Sequence, residues 1–102
     1  MLESDTALVA EFDYHLRNER RLSPHTLNNY RRDLESVVRF CSEQGIARWS
    51  ELHPQQVRNY VAQLHRRGLG GRSIQRKLSA LRSFCRYLIK RQLLSSNPAQ
   101  DI

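Results

Sequence analysis

Two stretches of this 102-residue chain carry side chains of the types that can read nucleic-acid bases. The first holds His25, Asn28, Asn29, Arg32 and Arg39, and the second holds Arg72, Gln75, Arg76, Ser79 and Arg86. Arginine offers paired donors that match the acceptor edge of guanine. Asparagine and glutamine offer the donor and acceptor that adenine requires. Thr26 and Ser73, near the start of each stretch, add short hydroxyls suited to phosphate oxygens. The stretches echo each other at a constant offset. Leu27 aligns with Ile74, Leu34 with Leu81, Val37 with Phe84, Val38 with Cys85 and Cys41 with Leu88.

Other chemistry finds no footing. The histidines His15, His25, His53 and His65 have no zinc-site spacing, and Cys41 and Cys85 form no CxxC pair. Gly68, Gly70 and Gly71 lack the Gly-Lys-Ser/Thr ending of a phosphate-cradling loop and follow no strand pattern, so they read as a helix–helix turn. Tyr30 and Tyr60 sit on apolar stripes, and Tyr14 and Tyr87 have no general-base motif beside them. No catalytic centre, metal or cofactor is expected of this chain.

Charge narrows the partner. The net charge is +7, from 17 basic and 10 acidic residues, and 15 of the basic residues are Arg. Residues 1–51 hold 7 basic and 9 acidic residues, whereas residues 52–100 hold 10 basic residues and no acid. A solvated surface mixes both signs, so a one-sign stretch of this length points to a polyanion. Along the second stretch Arg72, Arg76, Lys77, Arg82, Arg86, Lys90 and Arg91 have no acid in the same segment to offset their repulsion. A merely solvated face explains the first stretch equally well, because Asp33 and Glu35 lie within it.

The elements that must position these residues are four helices. Ser4 or Asp5 is placed to cap the first, which runs to about Arg20 on a stripe of Leu8, Val9, Phe12 and Leu16. Ser23 caps the second, with Pro24 at its first position. Its stripe is Leu27, Tyr30, Leu34, Val37, Val38 and Cys41, and Gly45 ends it. Ile46 to Leu52 is a loop whose Trp49 plugs the core edge. Pro54 opens a third helix behind a weak cap, His53, with Val57, Tyr60, Val61 and Leu64 inward and Gly68 at its end. Gly70 or Gly71 starts the fourth, on Ile74, Leu78, Leu81, Phe84, Cys85 and Leu88, and Asn97-Pro98 breaks the chain. No segment alternates with period two, so the fold class is all-α. Both cysteines fall on apolar faces and are expected as buried free thiols. No apolar run reaches a membrane span and no signal peptide is evident, so a cytoplasmic, nucleoid-associated location is expected.

Residues Glu19 to Leu34, ERRLSPHTLNNYRRDL, resemble the N-terminal signature of the tyrosine recombinase (phage integrase) family. Ser73 to Phe84, SIQRKLSALRSF, followed by Tyr87-Leu88 and Asn97-Pro98-Ala99, resembles its second signature. The likeness spans essentially the whole chain, and within the family it leans to the bacterial Xer recombinases, the XerC branch more than the XerD branch. It implies a compact bundle of four or five helices, the SAM-like core-binding domain, in residues 1–102. Residues 97–102 would begin the linker to a catalytic domain absent from this chain. It implies binding to double-stranded DNA at a dif-like core site, a XerD-like partner in a heterotetramer, and control by FtsK. The parent reaction would exchange strands through a 3′-phosphotyrosyl bond and resolve chromosome dimers. The DNA-contact positions that carry over are Thr26, Asn28, Asn29, Arg32, Arg72, Ser73, Gln75, Arg76 and Arg82. Gly70 departs from the serine or alanine usual at its position, and Lys77 lies at a stripe edge where it can snorkel. A phage or integron integrase domain, or a helical module for acidic protein partners, are the alternative readings.

Overall fold

The structure is a computed structural model that describes residues 1–102. Helix α1 spans Glu3–His15 and runs directly into a π-helical turn, Leu16–Arg20. Helix α2 spans Pro24–Glu43, a 3₁₀ turn covers Trp49–Glu51, α3 spans Pro54–Arg66 and α4 spans Gly71–Lys90. No strand is present, so the fold is the all-α bundle expected of the sequence.

Local chemistry accounts for the helix boundaries. Ser23 Oγ accepts the Thr26 amide at 3.2 Å, and Pro24 occupies the first helical position of α2. Gln56 Oε1 accepts the backbone N–H of His53 at 2.7 Å, which fastens the start of α3 behind Pro54. Gly45 and Gly68 follow α2 and α3 with φ of 72° and 85°. They allow the closing bonds from Ile46 N–H to Cys41 O at 2.8 Å and from Leu69 N–H to Leu64 O at 3.1 Å.

Helix α1 departs from the sequence reading at its start, and its helical run ends at Arg20 as expected. Leu2, not Ser4 or Asp5, is its N-cap, and no side chain caps it. Asp5 is committed elsewhere: its carboxylate accepts the Trp49 amide at 2.8 Å and its carbonyl accepts the Trp49 indole N–H at 2.8 Å. This pair of bonds fixes the loop before α3 to the first turn of α1. The last turn widens to π geometry, and Arg21 then turns the chain with a left-handed φ of 49°.

The core is continuous and aromatic at its centre. The Phe12 ring meets Tyr30, Phe84 and Tyr87 at centroid distances of 6.0, 5.4 and 5.2 Å. Trp49 packs edge-on to Phe84 at 4.8 Å. Phe40, outside the stripe read for α2, is buried against Tyr60 at 5.3 Å and widens the α2 face toward α3. Tyr30, Val38, Leu8 and Val61 sit at the core margin, partly buried. Cys41 and Cys85 are buried and unpaired. Burial pushes their thiols up to about 11 and about 12, which keeps them protonated at neutral pH. No helix is long and apolar enough to cross a membrane.

Candidate nucleic-acid interface

The two sequence stretches with base-reading chemistry lie on α2 and α4, which pack against each other more extensively than any other pair of helices. Their crossing brings Thr26 and Asn29 of α2 to one small groove with Arg76 and Ser79 of α4, a space of about 170 Å³. Asp33 lies at the floor of this groove and is 1% exposed.

The nine sequence-assigned positions fall into two groups. Arg32, Arg72 and Gln75 are exposed and Asn29 and Ser73 half-buried, and none of the five side chains bonds within the chain. The other four have partners. Thr26 Oγ1 accepts from Ser23 Oγ at 3.0 Å, which leaves its own proton free to donate. Asn28 Oδ1 accepts from Arg31 at 3.3 Å. Arg76 is bound side-on to Asp33, Nε to Oδ2 at 2.9 Å and Nη2 to Oδ1 at 3.0 Å. Arg82 is half-buried; its Nε donates to the Ala99 carbonyl at 2.8 Å and its Nη2 to the Ile102 carbonyl. Asn97 completes that arrangement, with Nδ2 on the Arg82 carbonyl at 3.2 Å and Oδ1 receiving the Ala99 amide at 3.1 Å. Residues 97–102 therefore fold back onto α4, with Pro98 and Ala99 buried.

The cations of α4 are less isolated than the sequence implies. Acid-free as its own segment is, α4 borrows Asp33 from α2. The same carboxylate that holds Arg76 also takes Lys77 Nζ at 3.2 Å, and the Lys77 side chain is only 11% exposed. Lys77 therefore turns inward to an ion pair. Hydrogen bonding to Asp33 raises the already high pKa of the Arg76 guanidinium, with the carboxylate charge adding to the effect. Arg91, at the far end, pairs with Glu11 at 3.3 Å.

Three of the cations without an acidic partner stand around the start of α4, while Arg86 and Lys90, also exposed and without one, lie further along it. Arg66 and Arg67 end α3, Arg72 opens α4, and all three are exposed with no acidic partner. Gly70 is the N-cap of α4 and no side chain caps the helix. The first-turn amides of Gly71, Arg72 and Ser73 thus have no acceptor within the chain, at the positive end of a 20-residue helix dipole. Arg66 and Arg67 were not among the assigned positions. Their signal was the Arg-Arg pair just ahead of the Gly-rich turn, which also reads as ordinary C-terminal charge on α3. Asp33 was also missed. Its signal was an acid spaced three from Tyr30 and four from Val37, which puts it on the inward face of α2.

This surface can hold phosphates at an open helix start while offering Arg, Asn, Gln and Ser side chains to base edges beside it. No group of three or more His, Cys, Asp or Glu side chains is arranged to hold a metal ion.

Comparison with known proteins agrees with the all-α fold. Residues 9–92 match the family described as phage integrase, N-terminal SAM-like domain. Tyrosine recombinase XerC of Pseudomonas putida is 52% identical over 88 residues, which is 86% of this chain and 29% of that protein. Tyrosine recombinase XerC of Pseudomonas entomophila is 51% identical, and that of Pseudomonas fluorescens 47%, over the same shares of each chain. The chain thus spans under a third of the length of these relatives. No solved structure matches it. The chain belongs to the phage integrase N-terminal SAM-like domain family.

Proposed function

We propose that this chain is the DNA-binding, non-catalytic core-binding domain of a XerC-like tyrosine recombinase, and that the start of α4 with the α2–α4 groove is its DNA face. The observation that carries the reading is the uncapped, acid-free start of α4, flanked by Arg66, Arg67 and Arg72, in a chain of the integrase family. Phosphates bind the open amides and the flanking arginines. Asn29, Gln75 and Arg76 read base edges, with Arg32, Asn28, Thr26 and Ser73 at the margins. Arg82 stands apart: it must release two backbone carbonyls before it can reach DNA.

The finer reading follows the XerC relatives. The domain grips one arm of a dif-like core site. A catalytic domain joined after residues 97–102 cuts and rejoins the strand through a 3′-phosphotyrosyl bond. A XerD-like recombinase occupies the other arm, and FtsK governs the complex during chromosome dimer resolution.

The test is fluorescence anisotropy of the 102-residue chain on a dif-like duplex and on a scrambled duplex across a salt series. With about four phosphates neutralised, log K falls with log salt at a slope near roughly −3.6. The dif-like duplex binds more tightly than the scrambled one. Binding that ignores salt, or no binding at all, overturns the reading and favours a helical module for acidic protein partners.

A further inference from the structure

The buried carboxylate between α2 and α4 does more than hold two helices together. Asp33 engages Arg76 through Nε and Nη2, the side edge of the guanidinium. The end edge, formed by Nη1 and the outer hydrogen of Nη2, is left free, and Nη1 makes no hydrogen bond within the chain. The Arg76 side chain is 48% exposed although its partner is 1% exposed, so the free edge looks outward from a fixed base. That edge is the two-pronged donor that fits O6 and N7 of guanine.

We propose that Asp33 is a positioning residue for base readout: it holds Arg76 so that the free end of the guanidinium meets one guanine beside the α2–α4 groove. The inference rests on the DNA-binding reading above and adds to it the residue that aims the contact and the base that it selects.

Three features support the assignment. First, an arginine loses much rotamer freedom when it docks; one already held in its docked geometry loses less, and the saving appears as affinity for the correct base. Second, Asn29 is the position in α2 that corresponds to Arg76 in the internal echo, and the two share the groove. An adenine reader and a guanine reader thus stand side by side. Third, Asp33 is too deep to meet a phosphate itself, so its charge orients Arg76 without presenting a repulsive face to the duplex. Lys77, bound to the same carboxylate, offsets a second share of its charge from inside.

The experiment compares affinities for a dif-like duplex and its set of single-base-pair variants. Arg76→Ala and Arg76→Lys both flatten the preference for guanine at one position, because lysine keeps the charge but lacks the fork. Asp33→Asn reduces the preference at that same position by roughly 2- to 12-fold, with the salt slope unchanged. Lys77→Met leaves the preference intact. A destabilised but folded variant with no positioning defect keeps the wild-type ratio between bases, so the ratio separates aiming from mere stability. A measurement on the unaltered chain covers the case in which Asp33→Asn does not fold. The Arg76 Nε–H resonance is ordered in the free protein and stays paired when duplex is added. A mobile Nε–H, or pairing lost on binding, overturns the positioning role, as does Asp33→Asn that leaves the preference unchanged. Equal loss on all duplexes for Arg76→Ala overturns the guanine assignment and makes Arg76 a phosphate contact. Absence of any duplex binding by the wild-type chain is instead a failure of the DNA-binding reading.

Discussion

Helices α2 and α4 share length, stripe and polar-face pattern, yet they begin in opposite ways. At α2, Pro24 has no amide to satisfy, Ser23 Oγ takes the Thr26 amide and Thr26 is tied back to it, so only the His25 amide is left open. At α4, Gly70 supplies no side chain, the first-turn amides have no acceptor, and Arg66, Arg67 and Arg72 surround them without an acid. The difference teaches that matching polar faces do not imply matching roles. An anion has something to gain at the start of α4, where donors are unsatisfied. At α2 the serine already holds that place, so under the proposed reading any part this helix takes in recognition rests on side chains further along, chiefly Asn29 and Arg32.

The strongest way to break this contrast is to give α4 a cap of its own. A Cβ built on Gly70 meets nothing within 4 Å, and its φ of −76° suits any residue. Gly70→Asp therefore places a carboxylate over the open amides. Stability rises by about 0.5 kcal/mol from capping and the helix dipole. Affinity for duplex DNA falls by roughly tenfold and the salt slope shrinks by about 1, because one phosphate site is filled and repelled. Thermal melts and a salt series read the two effects separately. Undiminished binding would show that the start of α4 does not hold phosphate.

The converse change sharpens the contrast from the other side. Ser23→Ala removes the α2 cap and costs about 1 kcal/mol, a fall in Tm of roughly 4–8 °C for a domain of this size. Affinity for DNA stays within about twofold of wild type under conditions where both proteins are folded. A large loss of affinity from Ser23→Ala would mean that α2 also grips the backbone through its start, and the asymmetry would disappear.

The contrast was only half legible in the sequence. Four helices, their apolar stripes and the Gly stops follow from local pattern, since each signal lies within one turn of the element that it sets. Trp49 as a core plug and the buried thiols follow in the same way. The partner of Asp33 was not legible, because Arg76 lies in another helix and only the tertiary crossing sets the two in register. For the same reason α4 looks more frustrated as a sequence than it is in the fold. Asp5 misled as a cap: its type and place suit the role, but its carboxylate is taken by the Trp49 amide of a loop far along the chain, and its carbonyl by the Trp49 indole N–H. Arg82 reads as a surface cation until the returning segment at Ala99 occupies its guanidinium.

The far ends of the helices supply the smallest and cleanest test. Helices α2 and α3 close through Gly45 and Gly68, whereas α4 closes the same way through Gln92, at a φ of 61°, with Leu93 N–H bonded to Leu88 O at 2.9 Å. A residue with a Cβ in that conformation costs about 1–2 kcal/mol, and glycine gives back roughly 0.5–1 of that gain in unfolded-state entropy. Gln92→Gly is therefore expected to stabilise the domain by about 0.5–1 kcal/mol, read from urea unfolding midpoints. Gly45→Gln should cost a similar amount, because its Cβ would meet nothing within 4 Å and the penalty is purely one of backbone. DNA affinity should not follow either change. Gln92 lies at the end of α4 opposite to Gly70, about 30 Å away along a 20-residue helix. If binding tracks the stability of that distant end, then the stiffness of the whole helix, and not the chemistry of its open start, separates α4 from α2.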